Sequence, residues 1–180
     1  MIESVNFKKY GIIFLVLFFL IHFWVKAQTH PSNQNVPTKK TGEIAPGFQG
    51  QTLEGQLFDL KQEASKNKIL VINFWETWCG PCQEELPYLQ RIHSRFNNQG
   101  FTIIGVYQTS PEKDVRSMIQ KNSLTFPMVF DESASIAKQF KIIGVPTTFV
   151  VDSNLKILRS HEGIDLGLES FVEDQLKELQ

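Results

Sequence analysis

Ile69-Leu70-Val71-Ile72-Asn73-Phe74-Trp75-Glu76-Thr77-Trp78-Cys79-Gly80-Pro81-Cys82 holds both cysteines of the 180-residue chain. Its first six residues are apolar and β-branched apart from Asn73, which reads as a buried strand. After Cys82, residues Leu86, Leu89, Ile92 and Phe96 recur at three- and four-residue spacing, the pattern of a helix with one apolar face. The cysteine pair therefore falls where a strand turns into a helix. A helix N-terminus there offers unpaired N–H groups and partial positive charge, and both favour a thiolate. A thiolate with a second thiol three positions on is suited to exchanging disulfides. A bridge between the two would close a tiny loop and stabilise little, which argues against a structural role. Half a zinc site is the other reading; it needs two more ligands, and His22, His30, His93 and His161 supply no second pair at metal spacing.

Composition sets the frame. A hydrophobic fraction of 42% is enough for a real core, and the residues beyond the N-terminal segment make one ordinary domain. A net charge of −1 leaves no basic field to draw the chain to nucleic acid. Neither an internal repeat nor a phosphate-binding glycine loop is present. Lys8-Lys9 precede an apolar run from Gly11 to Val25, and Lys26 follows it. A basic flank and then an apolar stretch is an export signal, short for a bilayer span of roughly 20 residues. Val25-Lys26-Ala27 fits a small-residue cleavage site, whereas Trp24 and Lys26 fit an interfacial anchor. Residues 1–27 are thus expected to be a signal peptide or a membrane anchor, residues 28–41 a polar linker with two prolines, and residues 42–180 the working domain. Either use of the segment places the domain outside the cytoplasm, where disulfides persist.

Within the domain, short strands are expected around Phe48 and Leu57-Phe58, and the central strand over 67–75. The helix from Gly80 contains Pro87, which should kink it, and ends at Asn97-Asn98-Gln99-Gly100. A buried strand over 101–107, a polar helix over 112–121 capped by Ser110-Pro111, a strand over 126–130 and a short helix over 133–140 follow. Residues 147–151 and 156–159 form a hairpin, with His161 after its second strand. Leu168, Phe171, Val172, Leu176 and Leu179 mark a covering helix. Strands alternating with helices and ending in a hairpin mean an α/β domain with a mixed sheet.

With NFWETWCGPCQEELP followed far downstream by GVPTTFVVD, the chain resembles the thioredoxin fold, and more narrowly the TlpA/ResA-like family of exported thiol:disulfide oxidoreductases. The opening GEIAPGFQGQTLEGQLFDL is similar to that family and to the wider redoxin group that includes peroxiredoxins. The resemblance implies a central mixed sheet flanked by helices, with an N-terminal hairpin extension. The 64 positions from Cys82 to Pro146 leave room for the extra strand–helix insertion of such proteins. Two residues depart from a minimal thioredoxin. Asn73 stands where that fold has a buried acid, and Glu85, three after Cys82, matches a glutamate typical of the TlpA/ResA-like pattern. The proton-handling group is therefore expected on the helix.

Cys79, nearest the helix start, is expected to be exposed and to attack a partner disulfide; Cys82, one turn in, resolves it, so that Cys79–Cys82 is the redox disulfide. Glu85 lies on the same side of the helix as Cys82, and a carboxylate half-buried there would bind its proton more tightly and take the thiol proton. Its negative charge also opposes the thiolate, against the helix dipole. The resemblance implies a cis Val145–Pro146 bond facing the cysteines, with backbone open to an extended substrate segment. Trp78, Gly80, Pro81, Val145 and Pro146 are the expected substrate-binding residues; Trp75 is read as core and Asn73 as a hydrogen-bonded strand residue.

No cofactor and no resident metal is expected. The resemblance implies protein dithiol or disulfide substrates, apocytochrome c among them, a membrane thiol-transporting electron donor, and a reducing direction from the Gly80-Pro81 pair. Two other readings stand beside this one. A peroxide reductase would need a threonine where Glu76 stands, three before Cys79. A copper carrier would use the two thiolates with a distal ligand, for which His161 is the candidate.

Overall fold

The computed structural model describes residues 41–179. The short strands β1 (Gln49–Gln51) and β2 (Leu57–Asp59) pair antiparallel as an N-terminal hairpin and lead into helix α1 (Leu60–Ser65). There follow β3 (Ile69–Phe74), α2 (Gly80–Phe96), β4 (Phe101–Tyr107), α3 (Glu112–Asn122), β5 (Met128–Phe130), α4 (Ser135–Phe140), β6 (Thr147–Asp152), β7 (Ile157–Glu162) and α5 (Leu168–Glu178). The main sheet has the order β5-β4-β3-β6-β7, with β3, β4 and β5 parallel, β6 antiparallel to β3, and β7 antiparallel to β6. The room expected between Cys82 and Pro146 for an extra strand–helix unit is taken by β5 with a second helix beyond the one that a β4-to-β6 crossover needs; β5 takes the sheet edge beside β4, and Thr52 bridges it to the hairpin.

β3 is apolar at every position but Asn73, and buried at all six, because both faces of the sheet are covered. Ile69, Val71 and Trp75 pack beneath α2, α3 and α5 with Leu86, Leu89, Ile92, Val115, Leu168, Val172 and Leu176. Leu70, Ile72 and Phe74 face the other way, against Phe48, Phe58, Leu60, Ile136, Phe140 and Phe149 from the hairpin, α1, α4 and β6. The register that puts Asn73 on the α2 face also pairs it with Thr148 of β6, and Thr148 in turn with His161 of β7. His161 therefore lies within the last strand rather than after it.

α2 runs as one helix through Pro87 and stops where Gly100 adopts a left-handed backbone, φ 81°, after a single 3₁₀ turn. Gly105 has a packing role. A Cβ there would collide with Met128 Sδ and stand 3.0 Å from Trp75 Nε1, so the glycine leaves room for Met128 and the Trp75 indole to pack closely on β4.

Three further local expectations change. α1 was not anticipated, although Asp59 caps it by accepting the Gln62 N–H at 2.9 Å. Ser110 does not cap α3: Pro111 occupies the cap position, and the Ser110 hydroxyl is engaged elsewhere. Leu179 sits at the C-cap of α5 and is half-exposed rather than packed. The readings of residues 1–27 and of the linker up to residue 40 fall outside the described residues; among the latter, no helix is long and apolar enough to cross a membrane.

Candidate active site

β3 ends at Phe74, and the five residues Trp75 to Cys79 carry the chain to the start of α2. Cys79 is itself the N-cap residue of α2, with extended backbone, followed by Gly80 and Pro81 in the first turn. A proline at this point loses nothing, because first-turn N–H groups have no helical acceptor. The Cys82 N–H points at Cys79 Sγ over 3.2 Å, as an N–H points at the oxygen of a capping serine or aspartate. The two sulfurs are joined in a disulfide, with Cα atoms 5.2 Å apart.

The Val145–Pro146 bond is cis, as the resemblance implied, and the Val145 carbonyl oxygen lies 3.5 Å from Cys79 Sγ. One expectation is corrected here. Cys79 is only 5% exposed, because in the oxidised state its sulfur is tucked against that carbonyl; Cys82 is fully buried. The exposed residues next to the bridge in the chain are instead Trp78, 66% exposed, and Gly80 and Pro81. A Cβ on Gly80 would meet nothing within 4 Å, so this face is open. Trp75, by contrast, is core, as expected.

Glu85 is 1% exposed. Its Oε2 accepts from Asn73 Nδ2 at 3.0 Å, and its Oε1 faces the backbone N–H of Asp165 at 3.4 Å. Asn73 Nδ2 also donates to Thr148 Oγ1 at 2.9 Å, while Asn73 Oδ1 is buried without a hydrogen-bond partner. Burial pushes the Glu85 carboxyl up to about 6, against the pull of the Asn73 and Asp165 donors and with a push from the Asp165 charge. A carboxyl so placed holds a proton in mildly acidic solution and releases it near neutrality.

Two neighbours of the site were not recognised as such in the sequence. Glu76 is 5% exposed and receives four donors: the N–H groups of Gln108 and Thr109 on Oε1, at 2.8 and 2.9 Å, and the N–H and hydroxyl of Ser110 on Oε2. The same hydroxyl accepts from Thr77 N at 2.7 Å, and Trp78 Nε1 donates to Thr109 Oγ1 at 3.0 Å. Glu76 thereby fastens the loop after β4 to the loop that carries Cys79. The other is Asp165, 2% exposed, held by a two-pronged ion pair with Arg159. No local pattern announces either; only its position three before Cys79 drew attention to Glu76. Among the described residues, no group of three or more His, Cys, Asp or Glu is placed to hold a metal ion.

This geometry is that of a dithiol–disulfide centre on a thioredoxin scaffold, and comparison with known proteins agrees. The profile of the AhpC/TSA family matches residues 41–160. The thiol-disulfide oxidoreductase ResA of Geobacillus thermodenitrificans is 35% identical over 127 residues, 68% of this chain and 72% of that protein. ResA of Halalkalibacterium halodurans is 31% identical over 136 residues, 74% of this chain and 76% of that protein. The chain belongs to the ResA-like thiol:disulfide oxidoreductases of the AhpC/TSA family. Among solved structures, the thioredoxin domain of a thiol-disulfide oxidoreductase from Bacteroides vulgatus superimposes with TM-score 0.69 at 28% identity, covering 77% of this chain and 99% of that one. A thiol-disulfide oxidoreductase from Bacteroides fragilis gives TM-score 0.63 at 27% identity, over 77% of this chain and all of that one, 100%. As a ResA-like oxidoreductase the protein has a redox-active cysteine pair and acts on protein thiols and disulfides.

Proposed function

We propose that this oxidoreductase works outside the cytoplasm as a reductant of protein disulfides, with Cys79 as nucleophile, Cys82 as resolving thiol and Glu85 as the proton acceptor. The observation that carries the assignment is the Cys82 N–H aimed at Cys79 Sγ at the tip of α2, over a buried Glu85. An N–H and a helix dipole directed at one sulfur favour its thiolate, so Cys79 is the thiol that attacks.

In the reducing direction, the Cys79 thiolate attacks one sulfur of a partner disulfide; a Cys79–partner bond forms and the other partner sulfur leaves as a thiolate. Cys82 then gives its proton to the Glu85 carboxylate, and the Cys82 thiolate attacks Cys79 Sγ. The intramolecular bridge forms, the mixed disulfide breaks, and the partner leaves with two electrons more than it brought. The partner segment would lie across Trp78, Gly80 and Pro81, against the Val145-Pro146 edge. The pair is then recharged by a second dithiol, for which a membrane thiol-transporting protein is the proposed donor.

The basic and apolar character of residues 8–26 supports export or anchoring, and with it a role on exported proteins, including the thiols of apocytochrome c. The peroxide-reductase reading is not favoured, because Glu76 is committed to the amides of Gln108, Thr109 and Ser110. The test is covalent trapping. Cys82→Ser, reduced and mixed with a disulfide-bonded protein, should accumulate an adduct through Cys79, and Cys79→Ser should accumulate none. Equal trapping by both variants would reverse or abolish the assignment.

A further inference from the structure

The carboxylate of Asp165 is buried 80 residues along the chain from Glu85, yet its own backbone N–H is what faces Glu85 Oε1. Asp165 is held from three sides. Arg159 of β7 donates Nε to Oδ2 at 2.6 Å and Nη2 to Oδ1 at 2.7 Å, and Gly167 N donates to Oδ1 at 3.0 Å. Its carbonyl accepts from Leu168 N at the first turn of α5. The guanidinium is itself seated over the Phe171 ring of α5, 5.2 Å from its centroid. The loop between β7 and α5 is thus clamped so that an N–H touches Glu85 while a second carboxylate stands close behind.

We infer that the Arg159–Asp165 ion pair is a positioning device for the redox centre: it holds the Asp165 N–H on Glu85 and screens Glu85 from the Asp165 charge, and so sets the pH range in which Cys82 is deprotonated. The inference rests on the proposed role of Glu85 and adds its control. Without the guanidinium, an uncompensated anion faces a buried carboxyl, and the proton is held more tightly. Without the Asp165 charge, the same carboxyl ionises more readily. The other groups on this side of the sheet are accounted for. Asn73 of β3 contacts Glu85 and Thr148 of β6 contacts Asn73; both are neutral. His161 of β7 stands in register with Thr148. On α2 itself, Cys82 is in the disulfide, and Tyr88 is tied by its hydroxyl to Leu166 O and Glu169 N at the surface of α5. Glu169 is paired with Arg91 and Arg95. Of the charged groups among the described residues, only Asp165 makes a direct contact with Glu85.

The test reads Glu85 directly and in the oxidised protein, where no thiol exchange occurs. The full chain is labelled with ¹³C at the glutamate side-chain carboxyl, the Glu85 signal is assigned by its loss in Glu85→Gln, and its titration is followed by NMR. The wild-type midpoint is expected at about 6. Arg159→Gln should move it upward and Asp165→Asn downward, each by about half a pH unit or more, and Arg159→Lys should lie between Arg159→Gln and wild type. The double variant Arg159→Gln/Asp165→Asn should return below Arg159→Gln. Opposite signs from two residues of one ion pair are not produced by general loosening of the loop, which would move both variants the same way. A midpoint that does not rise in Arg159→Gln, or does not fall in Asp165→Asn, overturns the inference. If Arg159→Gln does not fold, the Asp165→Asn titration decides alone. The role of Glu85 in proton transfer is judged separately, by the resolution rate of Glu85→Gln, so the two readings fail in different experiments.

Discussion

Glu85→Gln separates what the buried carboxyl costs the fold from what it gives the reaction. The Glu85 carboxyl lies at about 6 in the folded protein against an ordinary 4.5, and it is 1% exposed, so the difference belongs to the folded state. A displacement of that size corresponds to about 2 kcal/mol between the two protonation states. The sign follows from proton counting. Between pH 4.5 and 6 the folded protein keeps a proton that the unfolded chain has lost, so stability falls as pH rises through this window and is level above it. Gln is neutral and nearly isosteric. Its Nε2 would meet Asn73 Nδ2, but an amide flip of Asn73 would bring Oδ1, now without a partner, into position to accept. Urea unfolding of the oxidised full chain at pH 4 and pH 8, wild type against Glu85→Gln, should therefore show the variant gaining on wild type by about 2 kcal/mol between the two pH values. Parallel stability–pH curves for the two proteins would refute the reasoning.

The remaining expectations concern the resolution step, the scaffold and the surface. Resolution of a trapped Cys79 mixed disulfide should speed up as pH rises through about 6 in wild type and lose that dependence in Glu85→Gln, measured by quenched-flow gel analysis. Glu76→Ala leaves the N–H groups of Gln108, Thr109 and Ser110 without their acceptor and should cost about 3 kcal/mol by urea unfolding, with Glu76→Gln retaining part of it. Gly105→Ala drives a methyl into Met128 and Trp75 and should cost about 2 kcal/mol by the same assay. Trp78→Ala, at an exposed position, should change stability by less than about 1 kcal/mol while raising the KM for an insulin substrate several-fold, a split that distinguishes docking from packing.

The parts of this molecule that were legible in its sequence are those whose signal is local. β3 could be read because burial on both faces leaves an apolar run interrupted only by Asn73, and α2 because its core residues repeat at helical spacing. The redox pair could be read because strand end, cysteine spacing and helix start lie within fourteen residues. Glu85 came into view through the family resemblance, since its offset from Cys82 alone also fits a solvated helix glutamate, and its burial against Asn73 is visible only in the fold. What could not be read depends on residues far apart in the chain. Glu76 and Ser110 are 34 positions apart, and Asp165 and Glu85 are 80 apart, so neither leaves a periodic trace. Ser110 looked like a cap because serine before proline is common at helix starts, but its hydroxyl oxygen accepts the Thr77 N–H instead of a helix N–H, while its proton goes to the Glu76 carboxylate. α1 is six residues long, too short for periodicity to stand out, although Leu60 and Ala64 are one turn apart and Asp59-to-Gln62 has capping spacing. The exposure of Cys79 was misjudged because the Val145 carbonyl that covers it arrives from 66 positions downstream.

The central claim is that Cys79 and Cys82 trade their own bridge for one in a partner protein. A single-turnover reaction of the fully reduced chain with insulin tests it most directly, with protein and insulin thiols and disulfides counted by mass spectrometry. The account requires one Cys79–Cys82 bridge to form for each insulin bridge that opens. Insulin left intact beside a protein with both thiols free, or opened without formation of the Cys79–Cys82 bridge, would contradict it.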